Sequence, residues 1–232
     1  MPRSRAELLD RCYAAIEVVR ARVGGPRLLS QTSSRAGWPD HGVFLLFEEG
    51  ERRSDGVTPR VTFVGSHGLE EGSPVLLWTR LAQHRGSVAG PNPGAGNHRR
   101  SELRRLLGAA LLASDDRWSS AAATWGSGDT ASRAVRMAEA ELEREVSRRI
   151  GDMPLLWVEV ADRQQRAAMV AGLIATLSER PDEPVDPPSA TWLGRCAPEA
   201  AVRASGLWHV EHADAGPDPA AVASFRAHAG VG

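Results

Sequence analysis

The stretches GVFLLF (residues 42–47) and RVTFVG (residues 60–65) decide the fold of this chain. The first is a short apolar run bounded by turn residues, which is typical of a buried strand. The second alternates polar and apolar residues, which suits a half-buried strand. Residues 48–59 between them are charged and contain glycine, as a long hairpin loop does. We therefore predict two antiparallel strands joined as a hairpin.

Helices and one more strand are predicted after the hairpin. Ser73 and Pro74 form a helix-start signal, with serine as N-cap and proline at the first helical position, and this helix is predicted to end near residue 84. LLWVEV (residues 155–160) predicts a third strand, and residues 164–177 predict an amphipathic helix. The order strand, strand, helix, strand, helix predicts an α/β fold. Further helices are predicted over residues 99–112 and 134–150.

The remaining segments are predicted to be additions to this α/β core, and the whole chain, residues 1–232, is predicted to form a single domain. Residues 1–25 are expected to form an N-terminal helix, which ends at a Gly-Gly-Pro stop signal. The core is predicted to span residues 42–180, interrupted by a mobile Gly/Pro loop (86–97) and a Ser/Ala-rich insertion without regular structure (114–132). Residues 181–232 are expected to form a proline-rich linker, one short helix near residues 199–204 and a loose C-terminal tail.

The composition is that of an ordinary globular protein. The formal net charge is -1, so bulk charge does not attract the chain to nucleic acid or to a membrane surface. Cys12 and Cys196 lack partners at zinc-finger spacing. The first 22 residues are interrupted by charge, and no apolar run approaches the length of a membrane span. These features predict a cytoplasmic protein that does not insert into membranes.

The hairpin carries two short motifs, and a third feature follows on the next helix. GVF (residues 42–44) lies on the first strand, FVG (residues 63–65) ends the second, and Arg80 and His84 are four residues apart on the helix after it. This arrangement resembles the GIY-YIG nuclease family, in a stand-alone bacterial branch. The resemblance continues over VGSH (64–67), LWTRLAQHRG (77–86), GNHR (96–99), VSRRIGDMPLLWVEV (146–160) and SGLWHVEH (205–212). It implies a small three-stranded mixed sheet flanked by helices, with helical insertions and a C-terminal extension.

The resemblance also implies a chemistry whose usual residues are replaced here. In the family, a tyrosine helps to activate water, a glutamate holds one divalent metal ion, and the helix arginine binds the scissile phosphate. The two tyrosine positions are Phe44 and Phe63, the glutamate position is Val170, and a position often occupied by asparagine is His209. Arg80, His84 and His67 remain as candidate catalytic residues beside Phe44 and Phe63. Mg²⁺ or Mn²⁺ would be the cofactor of an active enzyme, and Glu211 and His212 are weak candidates for replacement ligands.

Two charged stretches have competing interpretations. The first stretch is basic and nearly unopposed by acids. It either binds phosphates or is a solvated face, and it lacks the interleaved aromatic residues that base stacking needs. The second stretch is acidic and is predicted to be a solvated helix face. The first stretch contains the predicted nucleic-acid contacts Arg85, His98, Arg99, Arg100 and Arg104, and the second contains Glu139, Glu141, Glu143 and Glu145.

Three functions are compatible with these residues. The first is a metal-dependent endonuclease with altered ligands, which requires a carboxylate near Arg80. The second is a pseudo-nuclease that binds DNA or RNA without cutting it. The third is a repurposed fold that binds a protein or a small phosphorylated ligand, and it would be favoured if Trp118 and Trp125 were exposed together.

Overall fold

The structure of the chain is a computed structural model, and it describes residues 4–70, 73–88 and 96–231. Four strands form one sheet: β1 (Arg27–Leu28), β2 (Gly42–Arg52), β3 (Pro59–Gly65) and β4 (Pro154–Glu159). The helices are α1 (Arg5–Arg22), α2 (Leu77–Arg85), α3 (Glu102–Ser114), α4 (Ser119–Ala122), α5 (Arg133–Ala138), α6 (Ala140–Gly151), α7 (Arg163–Leu177), α8 (Ala200–Ser205) and α9 (Pro219–Ala229). None of the helices formed by the described residues is long and apolar enough to cross a membrane.

The sheet has the strand order β1-β4-β2-β3, and every pair of neighbours is antiparallel. The α/β class is as predicted, but the sheet is not the expected three-stranded mixed one. β3 and β4 do run in the same direction, yet β2 lies between them, so no parallel pair forms. The additional strand β1 is only two residues long, which is too short to give a periodic signal in the sequence.

Helices cover both faces of the sheet and create two cores. The first core contains Val43 and Leu45 of β2 and is covered by α1, α7 and α9. The second core contains Phe44 and Leu46 and is covered by α2, α3 and α6. Successive residues of β2 alternate between the cores because side chains of a strand point to opposite faces. The continuous apolar run of β2 thus reflects a strand that is buried on both sides.

Helix α2 begins later than predicted. Its N-cap is Leu76, which makes no side-chain capping bond, and residues 73–76 precede the helix. The backbone N–H of Leu77 donates to the carbonyl of Asp40, 3.0 Å away, so a contact with the segment before β2 fixes the helix start. The prediction that Ser73 and Pro74 open this helix was wrong because a tertiary hydrogen bond prevailed over the local signal.

The C-terminal third of the chain is docked onto the hairpin, contrary to the predicted linker. Glu51 and Arg60 are both buried and form an ion pair, with Arg60 Nη2 2.5 Å from Glu51 Oε2. Arg60 Nη1 also donates to the carbonyl of Gly206 (2.6 Å), and Glu51 accepts from the backbone N–H and the hydroxyl of Ser189. Further along, the backbone N–H of Trp208 donates to the carbonyl of Thr62. These contacts cover the outer edge of β3.

Two other segments are more ordered than predicted. The expected loose tail contains α9, whose N-cap Asp218 accepts from two backbone N–H groups and whose end at Gly230 has positive φ. The insertion over residues 114–132 contains a 3₁₀ turn (Asp116–Trp118) and the short helix α4. The centre of the predicted Gly/Pro loop, residues 89–95, lies outside the described part of the chain.

Candidate functional site

Three of the predicted catalytic residues lie together in a ring cluster formed by Phe44, Phe63, His84 and His209. The ring centroids of Phe44 and Phe63 are 6.0 Å apart, and each lies within 5.7 Å of the His84 ring. His209 stacks on Phe63 with a centroid distance of 4.4 Å. All four residues are buried. None of the four side chains carries a hydroxyl, and Phe44 and Phe63 are at the positions where the resemblance implies tyrosines.

The cluster forms because the strands approach closely at Gly65. Phe44 and Gly65 are cross-strand partners, and the Phe44 ring lies on Gly65: a Cβ atom at this glycine would be 2.2 Å from Phe44 Cζ. The hydrogen atom of glycine fits under this ring, whereas the methyl group of alanine would not. The Phe44 ring therefore requires glycine at the last position of the FVG motif.

Gly65→Ala is expected to lower the free energy of unfolding by about 1–3 kcal/mol, as overpacking in a filled core does. The Phe44 ring cannot move aside easily because Phe63 and His84 contact it. Urea denaturation followed by circular dichroism measures the change. Gly216→Ala is the control, since nothing lies within 4 Å of a Cβ atom there. Equal stability of the two variants would contradict this account of Gly65.

The histidines of the ring cluster are held in their neutral forms. Burial lowers the pKa of His84 well below its usual value, and the positive charges of Arg80 and Arg104 act in the same direction. Its Nδ1 lies 2.7 Å from the hydroxyl of Ser101. Burial likewise lowers the pKa of His209 to about 3, and His209 Nε2 accepts a hydrogen bond from the backbone N–H of Val64. These histidines are therefore fixed polar contacts rather than proton carriers near neutral pH.

Arg80 acts electrostatically on His84 of this cluster, and Glu102 is the carboxylate that acts on Arg80. Its Nη1 donates to the carbonyl of Arg100, 3.0 Å away. Burial raises the pKa of Glu102, as does the charge of Glu211, while Arg80 acts to lower it. Glu102 also approaches the ring cluster, since its Oε2 is 4.0 Å from Nδ1 of His209. Sequence reasoning did not select Glu102, because only the folded chain brings the start of α3 beside Arg80.

The donors for a divalent metal ion do not converge at this site. Phe44 and Phe63 have no oxygen ligand, and Val170 packs against the first core, on the opposite face of the sheet from Phe44. His212, proposed with Glu211 as a replacement ligand, is an exposed turn residue with positive φ. Within residues 4–70, 73–88 and 96–231, no three His, Cys, Asp or Glu side chains are arranged to hold a metal ion. The residues present therefore do not fit the metal site that the resemblance implies.

His67 lies outside the ring cluster, at the end of β3. Its Nε2 is 3.0 Å from the carbonyl of Asp40 and 3.2 Å from Nδ1 of His41, and the two imidazoles stack. Burial lowers the pKa of His67 to about 4, to which the charge of Arg166 also contributes. His67 Nδ1 is buried and has no hydrogen-bond partner among the residues that the structure describes. His67 is therefore neutral near pH 7 and held by the backbone segment that precedes β2.

Three of the five predicted nucleic-acid contacts bind partners within the fold, and two of these three, His98 and Arg104, are buried. Arg104 is fully buried and donates to both the side chain and the backbone carbonyl of Glu143. His98 accepts from the N–H of Gly126 through Nε2, so its proton is on Nδ1, which lies 3.0 Å from Glu143 Oε1. Arg99 makes a two-pronged ion pair with Glu139. Arg104 has no accessible surface for a phosphate, so the prediction is corrected for Arg104, whereas His98 and Arg99 have internal partners but also line a surface cleft.

The same contacts correct the prediction for the acidic stretch of α6. Glu139 and Glu143 are one helical turn apart and both face inward, where they bind the three side chains just described. Glu141 and Glu145 lie on the outer side, and Glu145 pairs with Arg148 and Arg149. Only half of the stretch is therefore a solvated face.

The remaining predicted contacts lie at the surface. Arg100 is exposed and lines a cleft of about 480 Å³ together with Glu102, Arg105 and Glu211. Arg105 is partly exposed and pairs with Glu199, 2.9 Å away. Arg85 is partly exposed on the last turn of α2 and donates to the carbonyl of Thr32. Arg80, Arg85 and Arg100 are thus the cations from the prediction that a ligand on this surface could reach.

Comparison with known proteins agrees with the hairpin and its motifs. A family model described as GIY-YIG domain matches residues 3–230, which is nearly the whole chain. Neither a search of the curated proteins nor a search of the solved structures found a match. The match extends through the docked C-terminal third as well as the hairpin, and on this basis the chain belongs to the GIY-YIG domain family.

Proposed function

We propose that this protein engages nucleic-acid phosphodiesters without metal-dependent cleavage at the family's usual site. The observation that supports the proposal is the buried ring cluster, in which Phe44 and Phe63 stand at the positions that the resemblance assigns to the water-activating tyrosines. Hydrolysis of a phosphodiester requires an activated water and stabilisation of the developing charge. Phe44 and Phe63 supply neither a base nor a ligand.

Retention of Arg80 supports binding. Within the described residues, no carboxylate lies within ion-pair distance of its guanidinium. Its hydrogen bonds go to neutral oxygens, the side-chain oxygen of Gln83 and the carbonyl of Arg100. Arginine remains charged throughout the accessible pH range and presents paired donors that match a phosphate. Exposed Arg100 adjoins it, since its carbonyl is the acceptor for Arg80. Arg100 lines the cleft beside α3, and Arg80 contacts Arg100.

The first test is a plasmid-nicking assay with supercoiled DNA and single-stranded DNA in Mg²⁺ or Mn²⁺. We expect no cleavage by the wild type on substrates that an active family member cuts. Loss of one transition-state contact typically costs about 10²–10³ in rate, and here the positions of the base and the metal ligand are both replaced. Cleavage by the wild type that disappears in Arg80→Ala would overturn the proposal and reveal a working site with other ligands.

Binding is measured separately by fluorescence anisotropy with labelled duplex DNA over a series of salt concentrations. Arg80→Ala is expected to weaken binding and to reduce the salt slope by about one, as removal of one phosphate contact does. Arg226→Ala on α9 is the matched control, because it removes the same charge on the opposite face of the sheet. Equal effects of the two substitutions would remove Arg80 from the binding surface.

A further inference from the structure

Three tryptophans from distant parts of the chain meet on the surface of the second core. Trp38 precedes β2, Trp78 is on α2 and Trp157 is on β4, and each is partly exposed while packing against this core. Their ring centroids are 5.5 Å apart for Trp38 and Trp78, which are stacked, and 4.7 Å apart for Trp38 and Trp157. We call Trp38, Trp78 and Trp157 the tryptophan surface. Together the three rings form an aromatic patch that is in part accessible to solvent.

Arginines flank these rings. The Cζ atom of Arg85 lies 5.2 Å from the Trp78 ring centroid, and that of Arg27 lies 5.8 Å from the Trp157 ring centroid. Arg27 is exposed. A cleft of about 440 Å³ adjoins the rings and is lined by Trp38, Trp157, Arg22 and Glu159, among others. The combination of π-faces and guanidinium groups is complementary to a ligand that is both aromatic and anionic, and the positive charge disfavours a cationic ligand.

The tryptophan surface lies on the side of the sheet that carries the ring cluster. Trp157 is the cross-strand partner of Phe44, and Trp78 precedes Arg80 by two residues on the same helix. Side chains two residues apart on a helix do not face each other, so Trp78 and Arg80 point to different sides of α2 and offer two separate contact regions. The surface was missed in the sequence because its members come from three separate segments, none of which is itself rich in aromatic residues.

We propose that the tryptophan surface stacks the unpaired bases of single-stranded nucleic acid, with Arg27 binding the adjoining phosphates. Bases of any sequence present a π-face, so this mode of binding tolerates sequence and requires unpaired strands. The inference rests on the proposed function, because it assumes that nucleic acid is the ligand. It adds to the proposed function a preference for single-stranded nucleic acid and a second contact region, separate from Arg80.

The test compares a labelled oligothymidylate with a labelled duplex by fluorescence anisotropy. Trp78→Ala is expected to weaken binding of the single strand about tenfold or more, because each base stacked on an aromatic residue makes a large contribution to affinity. Its affinity for the duplex should be unchanged. Trp78→Phe, which retains a stacking face, should stay within about threefold of the wild type. Oligothymidylate should also quench the tryptophan fluorescence of the wild type.

Trp118→Ala is the matched control. Trp118 also packs against the second core and also has an arginine over its ring, Arg117 at 4.5 Å, but it lies outside the tryptophan surface. Equal losses in Trp78→Ala and Trp118→Ala would overturn the inference. If Trp78→Ala fails to fold, exposed Arg27→Ala decides instead, and an unchanged salt slope for the single strand would then refute the inference.

The outcomes separate this inference from the proposed function. A wild type that binds the duplex and not the single strand would refute base stacking and leave the function in place. A wild type that binds neither would refute both. Binding of the single strand that depends on Trp78 and not on Trp118 is the result that supports the tryptophan surface.

Discussion

Glu143→Gln is expected to lower the free energy of unfolding by about 3–5 kcal/mol, the usual effect of removing one partner from a buried ion pair. Arg104 has no exposed surface, and its guanidinium relies on the carboxylate of Glu143 for neutralisation. Glutamine keeps the size of the side chain but leaves that cation uncompensated in the protein interior. It also replaces an acceptor of the Nδ1 proton of His98. Urea denaturation of the wild type and the variant gives the difference directly.

Glu145→Gln is the control for this experiment, because the residue is on the same helix and also binds two arginines. Its partners, Arg148 and Arg149, are partly exposed, so solvent and salt screen the pairs. The expected change is below about 1 kcal/mol. A similar loss of stability in both variants would show that the buried position of Glu143 is not what makes its pair important.

Arg60→Met is expected to have a comparable effect, about 3–5 kcal/mol, and to loosen the C-terminal third of the chain. The substitution leaves Glu51 buried without its cation and removes the donor to the carbonyl of Gly206. Burial acts to raise the pKa of Glu51, but hydrogen bonds from Ser189 and Arg60 outweigh it, so the carboxylate is charged in the native protein. The variant therefore exchanges an ion pair for an isolated buried charge.

Limited proteolysis complements urea denaturation for Arg60→Met. We expect cleavage within residues 181–215 to become faster than in the wild type, since this segment loses its contact with the hairpin. Arg52→Met, an exposed arginine on the same hairpin, provides the comparison. If the proteolysis rates and stabilities of the two variants agree, Arg60 does not hold the C-terminal segment on the hairpin.

The sequence predicts best those elements whose apolar pattern is continuous. The predicted strands 42–47 and 60–65 lie within β2 and β3, and the predicted helix 164–177 lies one residue from α7 at its start. Helix α9 was missed, although Asp218-Pro219 at its start and Gly230 after its end are ordinary boundary signals.

The structure brings only part of the predicted candidate set into one cluster, and His67 lies outside it. The motifs and their order bring Phe44, Phe63 and His84 together, as the resemblance implies. Whether an arginine faces solvent or the interior depends on which side of its helix packs, and that depends on partners far along the chain. Arg104 and Glu143 are 39 residues apart, so a local reading of the basic stretch could not reveal their pairing.

The packing of α9 on α1 has a consequence for how the protein is made. Arg22 at the end of α1 donates to the carbonyl of His228, 206 residues later, and the two helices share the first core. At about 5–20 residues per second, a ribosome adds the second helix roughly 10–40 s after the first. During that interval the side of α1 that packs on α9 lacks this neighbour. The first core is therefore completed only after α9 has been synthesised.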